Sequence, residues 1–295
     1  MENSVKKNIG MIGIGMMGHG IASNIVKHGY PLTVLEHPGN QPLDTLKAAG
    51  ARSATRASDL AAQSDVVILV LTGSPQVEAV LTGEGGVLAG LRPGSIVIDC
   101  STALPSSTVR MAQAVQAAGS RFIDTPMTRT PKEAAEGRLN LLCGGDAALL
   151  EECRPLLSCF AENIFHAGPV GAGHSMKLLH NFVSLGTVAL IAEAAACSAS
   201  HGVAPEAFVD ILAKGGGGGV ALERLRPYLL SGDTSSLRFS LANACKDLNY
   251  YNAMAGDADA SRGIAAAVLT TLEGAHRSAP DALMPELSTL LAATK

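Results

Sequence analysis

Tryptophan is absent from the 295-residue sequence, and aromatic residues make up only 3% of it. Proteins that stack nucleic-acid bases or sugars on aromatic rings need such side chains at their surface, so their scarcity argues against that class. The net charge is −4, and lysine and arginine form no cluster of the kind found on nucleic-acid-binding surfaces. We therefore expect no nucleic-acid partner.

The six cysteines also lack patterns that carry chemistry, since they form no Cys-x-x-Cys pair and no metal-ligand spacing. We interpret them as free thiols in a reducing compartment, and we expect no metal site. The amino-terminal stretch MENSVKKNIG has no apolar segment typical of a signal peptide. Glu193 interrupts the best apolar run, so we expect no membrane span and a cytoplasmic location.

Residues 1–168 alternate short β-branched runs with amphipathic helical patterns. The runs NIGMIGI, DVVILVL and SIVIDCS are examples, and each is followed by a helical stretch. Such alternation is typical of a doubly wound α/β fold with parallel strands and right-handed crossovers. After residue 168 the strand patterns end and helical periodicity continues. We therefore predict an α/β domain over residues 1–168 and an all-α domain over residues 169–295.

A polar stripe marks the longest predicted helix, which begins at Gly171 near the boundary between the predicted domains. Its continuation, FVSLGTVALIAEAAACSA, is almost wholly apolar, so we expect the helix to be buried along much of its length. Four polar residues nevertheless fall within about one quadrant of it: His174, Lys177, Asn181 and Ser184. Because an unpaired buried amine is costly, this stripe is predicted to face water, a partner or a ligand.

The segment IGMIGIGMMGHG contains the spacing Gly13-x-Gly15-x-x-Gly18 between a predicted strand and a predicted helix. This context is the one that a Rossmann-type dinucleotide fingerprint requires. Gly13 permits the tight turn, Gly15 lets the backbone approach a pyrophosphate, and Gly18 allows close packing of helix on strand. We predict a cofactor-binding loop here, which also includes Ile14, Met16 and Met17. A glycine-rich turn without a ligand is the alternative.

The second predicted strand ends at Glu36, about 20 residues after the glycines, where an acidic side chain can bind the adenosine ribose. A carboxylate at this place repels a 2′-phosphate, and no arginine follows it directly in EHPGNQ. The sequence therefore predicts NAD in preference to NADP. The alternative is a solvated acidic residue at the end of a strand.

Two further predicted strands end in polar residues, at the edge where α/β folds place ligands. Ser101 and Thr102, in DCSTALP, offer hydroxyl donors that either bind a ligand or cap the next helix. Arg129, between Thr128 and Thr130, follows the other strand. Arginine with adjacent hydroxyls suits a planar or tetrahedral anion, and a surface arginine in a loop is the alternative.

Lys177 has a chemical use if it lies beside a nicotinamide. An amine there can protonate a carbonyl oxygen as hydride arrives, or remove the hydroxyl proton in the reverse direction. Burial and nearby cations lower the pKa of a lysine toward neutrality, as that role needs. Asn181 follows one helical turn later and can hold the amine or the substrate.

Together these motifs resemble those of the β-hydroxyacid dehydrogenase family, in the family's order and over essentially the whole chain. DCSTALP resembles an Asp-x-Ser-Thr segment, and GAGHSMKLLHN resembles Gly-x-Gly-x-x-x-Lys-x-x-Asn-Asn. KDL, which begins at Lys246, resembles a Lys-Asp-Leu near the end of family members. The resemblance implies NAD-dependent hydride transfer between a small anionic β-hydroxy acid and its semialdehyde. It also implies a homodimer or homotetramer, because the family's long helix usually packs against a partner subunit.

The resemblance also implies residue roles. Lys177 is the catalytic acid/base and Asn181 its companion at the substrate. Thr102 and Lys246 contact the cofactor near the nicotinamide, and Ser101 helps to hold the substrate. Leu71 and Thr72, which stand where the family has Leu-Pro, complete the expected cofactor contacts.

Three departures from the family pattern bear on the substrate. Thr128-Arg129-Thr130 replaces the usual Ser-Gly-Gly loop, His180 replaces the first asparagine of the pair, and Thr72 replaces a proline. The Arg-Thr loop resembles that of sulfolactaldehyde reductases, in which this arginine holds a sulfonate. Ser184 matches another position of that anion site, whereas His180 does not. We expect both Ser184 and His180 to contact the substrate. The sequence is compatible with a carboxylate substrate and with a sulfonate substrate.

Two other functions are compatible with this architecture. Imine reductases share this architecture but generally lack the lysine, so the presence of Lys177 argues against an imine reductase. A non-catalytic dinucleotide-binding interaction module is the second alternative; such proteins typically lose the lysine and carry extra recognition segments, and this chain shows neither feature.

Overall fold

The computed structural model describes residues 6–293. Residues 1–5, on which the expectation about a signal peptide partly rests, lie outside the described residues. The chain divides into two compact units, with the boundary after Lys177. Each unit has its own hydrophobic core.

The first unit contains one nine-stranded sheet. Its strands are β1 (Ile9–Ile12), β2 (Leu32–Leu35), β3 (Arg52–Ala54), β4 (Val66–Leu69), β5 (Ile96–Asp99), β6 (Arg121–Asp124), β7 (Met127–Thr128), β8 (Leu139–Gly144) and β9 (Ala161–Gly168). Their order is β3-β2-β1-β4-β5-β6-β8-β7, and β9 pairs with β8. The first six strands of this order are those of a doubly wound dinucleotide-binding sheet, which confirms the predicted fold class.

Parallel pairing, which the sequence predicts throughout, holds between all neighbouring strands from β3 to β6 in the sheet order. Strand β8 runs antiparallel to both β6 and β7, whereas β9 is parallel to β8. A parallel crossover needs about a dozen residues or more, and only residues 129–138 separate β7 from β8. The stretch RFIDTPM is divided between β6 and β7, because Pro126 has no N–H group to donate.

Helices cover the sheet of the first unit. They are α1 (Met16–Lys27), α2 (Asp44–Ala48), α3 (Ala57–Ala62), α4 (Ser74–Thr82), α5 (Val87–Gly90), α6 (Pro105–Ala117), α7 (Pro131–Glu136) and α8 (Ala147–Leu157). Strands β1, β4 and β5 are buried along their whole length. Burial on both faces explains why they read as continuous apolar runs in the sequence. Met11 belongs to the core on one face and its neighbour Ile12 to the core on the other.

The second unit is helical, as predicted. Helix α9 (Ala172–Ser200) contains the boundary and is followed by α10 (Pro205–Lys214), α11 (Val220–Ser231), α12 (Leu241–Asp257), α13 (Gly263–Ser278) and α14 (Leu287–Ala293). The stretch LMPELSTLLAA begins as a 3₁₀ turn over Met284–Glu286 and becomes α-helical only at Leu287. Pro285 accounts for the late start, because proline fits the beginning of a helix and not its interior.

Helix α9 differs from its prediction in two ways. It is the one helix within residues 6–293 that is long and apolar enough to span a membrane, with a mean hydropathy of 1.7 in its best window. The expectation that Glu193 rules out every such run is therefore wrong, although core helices of soluble proteins share this length and composition. Only 33% of that window is buried, so the expected burial along much of the helix is also wrong. Val183 and Leu190 are each 65% exposed.

Candidate active site

The glycine loop between β1 and α1 requires glycine at two positions. Gly13 has a φ of +96°, and a Cβ atom there would lie 2.1 Å from the carbonyl oxygen of Val70. A Cβ atom on Gly18 would lie 1.9 Å from the carbonyl oxygen of Gly13. Gly15, in contrast, has open space where its side chain would be. It precedes the first residue of α1, Met16, without a side-chain cap, so the free space adjoins a helix N-terminus suited to phosphate.

The segment after β2 is tied to this glycine loop by Asn40. The backbone N–H of Ile14 donates to Asn40 Oδ1 at 3.2 Å, and Asn40 Nδ2 donates to the carbonyl of Leu35 at 2.9 Å. This segment lines an open pocket with Glu36, His37, Pro38, Asn40, Gln41 and Leu43. Sequence reasoning missed Asn40, since an asparagine in a turn after a strand carries no distinct signal.

Glu36 lies at the carboxyl end of β2 and forms an ion pair with Lys47. Lys47 Nζ donates to Glu36 Oε1 at 2.9 Å, and this hydrogen bond is the main reason that the pKa of Glu36 is lowered. The ionised carboxylate remains 41% exposed. An exposed carboxylate can bind the ribose hydroxyls of NAD. The pocket, the glycine loop and the start of α1 therefore fit a dinucleotide.

Ser101 joins the ends of two neighbouring strands. Its Oγ accepts a hydrogen bond from the backbone N–H of Leu71 at 2.9 Å, and its own N–H donates to Asp99 Oδ1 at 2.9 Å. Helix α6 has Leu104 as its N-cap, Pro105 in its first turn and no side-chain cap. The alternative interpretation of Ser101 and Thr102 as helix caps is therefore wrong. Thr102 is half-buried and Thr72 exposed.

Arg129 adopts a φ of +83°, one of two non-glycine residues with positive φ in the described chain. That conformation suits glycine, which the resembled family has in this loop. The guanidinium Nη1 donates to the Glu162 carboxylate and to the carbonyl of Arg138. The hydrogen bond from Arg129 is the main reason that the pKa of Glu162 is lowered. The structure thus pairs the predicted anion-binding arginine with an acidic residue that sequence reasoning missed.

The two threonines beside Arg129 have different neighbours. Thr128 Oγ1 accepts a hydrogen bond from Asn140 Nδ2 at 3.2 Å. Thr130 is the N-cap of α7 and forms a capping box with Glu133, whose carboxylate accepts from the Thr130 N–H at 3.0 Å. The sequence contained the signal for α7, because Thr-Pro-Lys-Glu is a capping box with proline at the first helical position.

Helix α7 is fixed to helix α1. A Cβ atom on Gly20 would lie 2.7 Å from the backbone of Ala134 and Ala135, so only glycine permits this approach. The buried side chain of Asn24 donates to the carbonyl oxygens of Ala134 and Ala135 at 2.9 and 3.1 Å. The loop that carries Arg129 is therefore held against the helix that follows the glycine fingerprint.

The first turn of α9, which belongs to the first unit, is held by Asp124 at the end of β6. Its carboxylate accepts from the backbone N–H of Gly171 at 2.8 Å and from that of His174 at 2.9 Å. Burial raises the pKa of Asp124, while His174 and these bonds oppose the rise. Lys177 follows, half-buried, within the next turn. Asp124 is a second residue that sequence reasoning missed.

In the second unit, Asp247 brings together two predicted site residues. Its buried carboxylate accepts from Asn181 Nδ2 at 2.6 Å and from Lys246 Nζ at 2.7 Å. His180 Nδ1 lies 3.1 Å from Asn181 Oδ1, and Lys246 Nζ lies 5.2 Å from the ring centroid of Tyr250. Asp247 stands within the KDL motif, but sequence reasoning gave it no role. Ser184 is half-buried on α9.

Cysteine and metal chemistry have little support in the described part of the chain. No group of three or more histidine, cysteine, aspartate or glutamate side chains in residues 6–293 is placed to hold a metal ion. The six cysteines are free thiols, and Cys197 alone among them is exposed. Burial raises the pKa of Cys100 and of Cys143 to about 12, so both stay protonated at neutral pH.

Comparison with known proteins agrees with this geometry. Residues 8–168 match the NAD binding domain of 6-phosphogluconate dehydrogenase, and residues 171–283 match the NAD-binding domain of NADP-dependent 3-hydroxyisobutyrate dehydrogenase. The chain belongs to the β-hydroxyacid dehydrogenase family. As a member of this family it is an NAD-binding oxidoreductase that acts on the hydroxyl group of hydroxy acids.

The chain is similar in sequence to two dehydrogenases and in fold to a third. An NAD-dependent L-serine dehydrogenase of Pseudomonas aeruginosa is 37% identical over 222 residues, which cover 75% of this chain and 74% of that protein. A 2-(hydroxymethyl)glutarate dehydrogenase of Eubacterium barkeri is 33% identical over 237 residues, which cover 79% and 77%. The 3-hydroxyisobutyrate dehydrogenase of Mycobacterium tuberculosis, in a structure with L-serine, shares the fold with a TM-score of 0.88 at 24% identity, over 98% of this chain and 100% of that one.

Proposed function

We propose that this β-hydroxyacid dehydrogenase interconverts a small anionic β-hydroxy acid and its semialdehyde, with Lys177 as the general acid/base. The observation that supports the proposal most is the Asp247 carboxylate, which holds Asn181 at 2.6 Å and Lys246 at 2.7 Å. The resemblance assigns Asn181 to the substrate and Lys246 to the cofactor. A shared buried carboxylate fixes both groups, and such positioning lowers the barrier of a two-reactant step.

Each residue has a proposed task. NAD, when bound, accepts hydride from the substrate carbon. Lys177 removes the hydroxyl proton in oxidation and returns a proton to the carbonyl oxygen in reduction. Asn181 and Ser101 orient the substrate, and Thr102 lies near the nicotinamide. We propose the division after residue 168 as the boundary between the cofactor-binding domain and the helical domain for substrate binding and dimerisation.

The proposed cofactor contacts are the glycine loop, Glu36, Leu71, Thr72 and Lys246. The ionised Glu36 favours a free 2′-hydroxyl over a 2′-phosphate, which is why we propose NAD as the preferred form. Its pairing with Lys47 moderates this preference, because the ammonium group stands beside the carboxylate.

The anionic end of the substrate is proposed to bind at Arg129, with Thr128, Thr130, His180 and Ser184 as further contacts. The Arg129–Glu162 pair supports a substrate with one negative charge, since Glu162 already offsets part of the arginine's charge. A carboxylate and a sulfonate both meet this condition. The two differ in shape, planar against tetrahedral, and activity measurements decide between them.

The first experiment measures initial rates with NAD and NADP on 3-hydroxyisobutyrate, glycerate, serine, 4-hydroxybutyrate and dihydroxypropanesulfonate. We expect at least one substrate to react, with NAD preferred. Lys177→Met should reduce kcat by about 10²–10⁴-fold, the range for loss of a general acid/base, while NADH fluorescence titration shows unchanged binding. Turnover that survives Lys177→Met would remove the lysine from the mechanism and return attention to an imine reductase-like enzyme.

A pair of variants tests the anion site on the substrate found in that panel. Arg129→Ala should raise KM about tenfold or more, as expected for a lost charge-assisted hydrogen bond. Glu162→Gln should lower KM, because it leaves the Arg129 charge uncompensated. If both variants keep the wild-type KM, Arg129 and Glu162 form only a structural ion pair.

We also propose a cytoplasmic homodimer or homotetramer. Exposed apolar residues on α9 support it: Met176, Leu179, Val183 and Leu190 are each at least 40% exposed, and a patch of this kind marks an interaction surface. Light scattering measures the mass directly, and Leu190→Glu should shift the protein toward the monomer. A wild-type mass equal to one chain would refute this part of the proposal.

A further inference from the structure

The side chain of His174 is fully buried in the first unit, between the ends of β5 and β6 and helix α6. Its Nε2 lies 3.1 Å from the carbonyl oxygen of Ser101, and its Nδ1 lies 2.8 Å from Thr108 Oγ1. Both ring nitrogens therefore have a hydrogen-bond partner. The identity of these partners determines where the ring carries protons.

Both partners can act as acceptors. A carbonyl oxygen can only accept, so Nε2 carries a hydrogen. Thr108 Oγ1 also lies 3.0 Å from the carbonyl of Leu104, four residues earlier on the helix, and its hydroxyl proton goes to that carbonyl. In this arrangement the hydroxyl oxygen is the acceptor for Nδ1, and an imidazole ring with a proton on each nitrogen is a cation.

Two buried carboxylates face this ring. Asp124 Oδ2 lies 3.7 Å from Nδ1, and Asp99 Oδ2 lies 4.0 Å from Nε2. Asp99 Oδ2 is one of three buried side-chain oxygen or nitrogen atoms in the described residues without a hydrogen-bond partner. A buried ionised oxygen without a donor is costly unless a positive charge lies near it. An imidazolium at 4.0 Å supplies that charge, so the electrostatics agree with the hydrogen bonds.

We propose that His174 is a buried imidazolium held between Asp99 and Asp124, and that it acts as a positioning residue which ties the Ser101 backbone to the first turn of α9. This step rests on the proposed function, which gives Ser101, Thr102 and Lys177 their tasks. The ring of His174 bonds to the Ser101 carbonyl, and the backbone N–H of His174 donates to the Asp124 carboxylate. His174 thus sets the distance between the segment with Ser101 and Thr102 and the helix that carries Lys177.

The charge is tested on the wild-type protein with NAD, without any assay of activity. The chain contains eight histidines, and ¹⁵N labelling of their rings with His174→Gln for assignment isolates the signal of His174. At pH 7.5 we expect both ring nitrogens of His174 to carry a directly bonded proton. A ¹⁵N shift typical of an unprotonated Nδ1 would show that Thr108 donates to a neutral ring, and would overturn the proposal.

The positioning role is tested by kinetics. His174→Gln keeps a donor for the Ser101 carbonyl without the charge, and His174→Leu removes both. We expect kcat to fall about tenfold or more in His174→Gln and further in His174→Leu, as small misplacements of catalytic groups can cost about 10²-fold. The dissociation constant of NADH should change less than about threefold, because the glycine loop and Glu36 are untouched.

A matched control is His166→Gln on β9, where an exposed histidine also places Nε2 at 2.9 Å from a carbonyl oxygen, that of Gly145. It should retain wild-type kcat. An imidazolium signal together with an unchanged kcat in His174→Gln would refute the positioning role. If the wild-type protein turned over no substrate, the proposed function would fail while the ¹⁵N measurement still tested the charge.

Discussion

The carboxylate of Asp247 lies 2.6 Å from the side-chain amide of Asn181, a residue 66 positions earlier in the sequence. The other oxygen of this carboxylate binds Lys246. An asparagine in its place keeps one acceptor oxygen and no charge, so one of the two groups loses its acceptor. Asp247→Asn should therefore lower kcat/KM by about 10–100-fold, the equivalent of about 1–3 kcal/mol for an unsatisfied buried group. Asp257→Asn, at the exposed end of the same helix, is the control and should behave as wild type.

Cofactor choice should respond to the Glu36–Lys47 ion pair. Glu36→Ser removes the charge that repels a 2′-phosphate and leaves the Lys47 ammonium group to attract it. We expect the ratio of kcat/KM with NAD to that with NADP to fall by about tenfold or more, or about 1.4 kcal/mol. Adding Lys47→Met should cancel the gain with NADP. Equal NADP rates with and without Lys47 would contradict this account.

Acid should weaken an ion-pair cluster on the first unit. Arg121 and Lys7 both bind Glu152, and these bonds, first that from Arg121, lower the pKa of Glu152 from 4.5 to about 2. A depressed acid pKa stabilises the folded state above pH 4.5, and this stabilisation is lost as the pH falls toward 2. Glu152→Gln should lower the free energy of unfolding at pH 7 by about 1 kcal/mol or less, since the pair is exposed.

Urea unfolding of both proteins at pH 7, 4 and 3 measures this effect, and the difference between them should shrink with the pH. In an Arg121→Met background the same substitution should have a smaller effect at pH 7. A difference that is constant over the pH range would show that the charge of Glu152 is not its cause.

Close packing of α7 on α1 makes Gly20 intolerant of substitution. Gly20→Ala places a Cβ atom 2.7 Å from the backbone of Ala134 and Ala135, so α7 must move. We expect a loss of about 1–3 kcal/mol in unfolding free energy and a raised KM for the substrate. Gly263→Ala, at the start of α13 with open space around it, should be neutral or stabilising. Thermal and urea unfolding, followed by kinetics, compare the two variants.

The sequence predicts those elements whose patterns are complete within a short stretch. Strands β1, β4 and β5 read as apolar runs because both their faces are buried. In contrast, β3 has three residues and α5 has four, too few to complete a recognisable period. The antiparallel placement of β8 also has no local signal, since it depends on the length of the connection from β7.

In the candidate site, too, the sequence predicts the features that are complete within a short stretch. The glycine loop is predictable because its turn, its open space and its helix N-terminus all lie within residues 13–18. The acidic residues that hold other groups are not. Glu162 lies 33 positions from Arg129, and Asp124 lies 47 positions from Gly171. Such pairs form only when segments distant in the sequence come together in the folded unit, so no spacing in the sequence reveals them.

Asn24 holds helix α7 through the carbonyl groups of Ala134 and Ala135, and every amino acid has such a group. The attachment therefore does not depend on the side chains at positions 128 and 129, which precede the capping residue Thr130. Mutations can exchange those side chains, and with them the contacts offered to a substrate, while the nucleotide-binding helix keeps its place. Under the proposed function, substrate range and coenzyme choice can accordingly evolve as independent traits, the former in this loop and the latter at the end of β2.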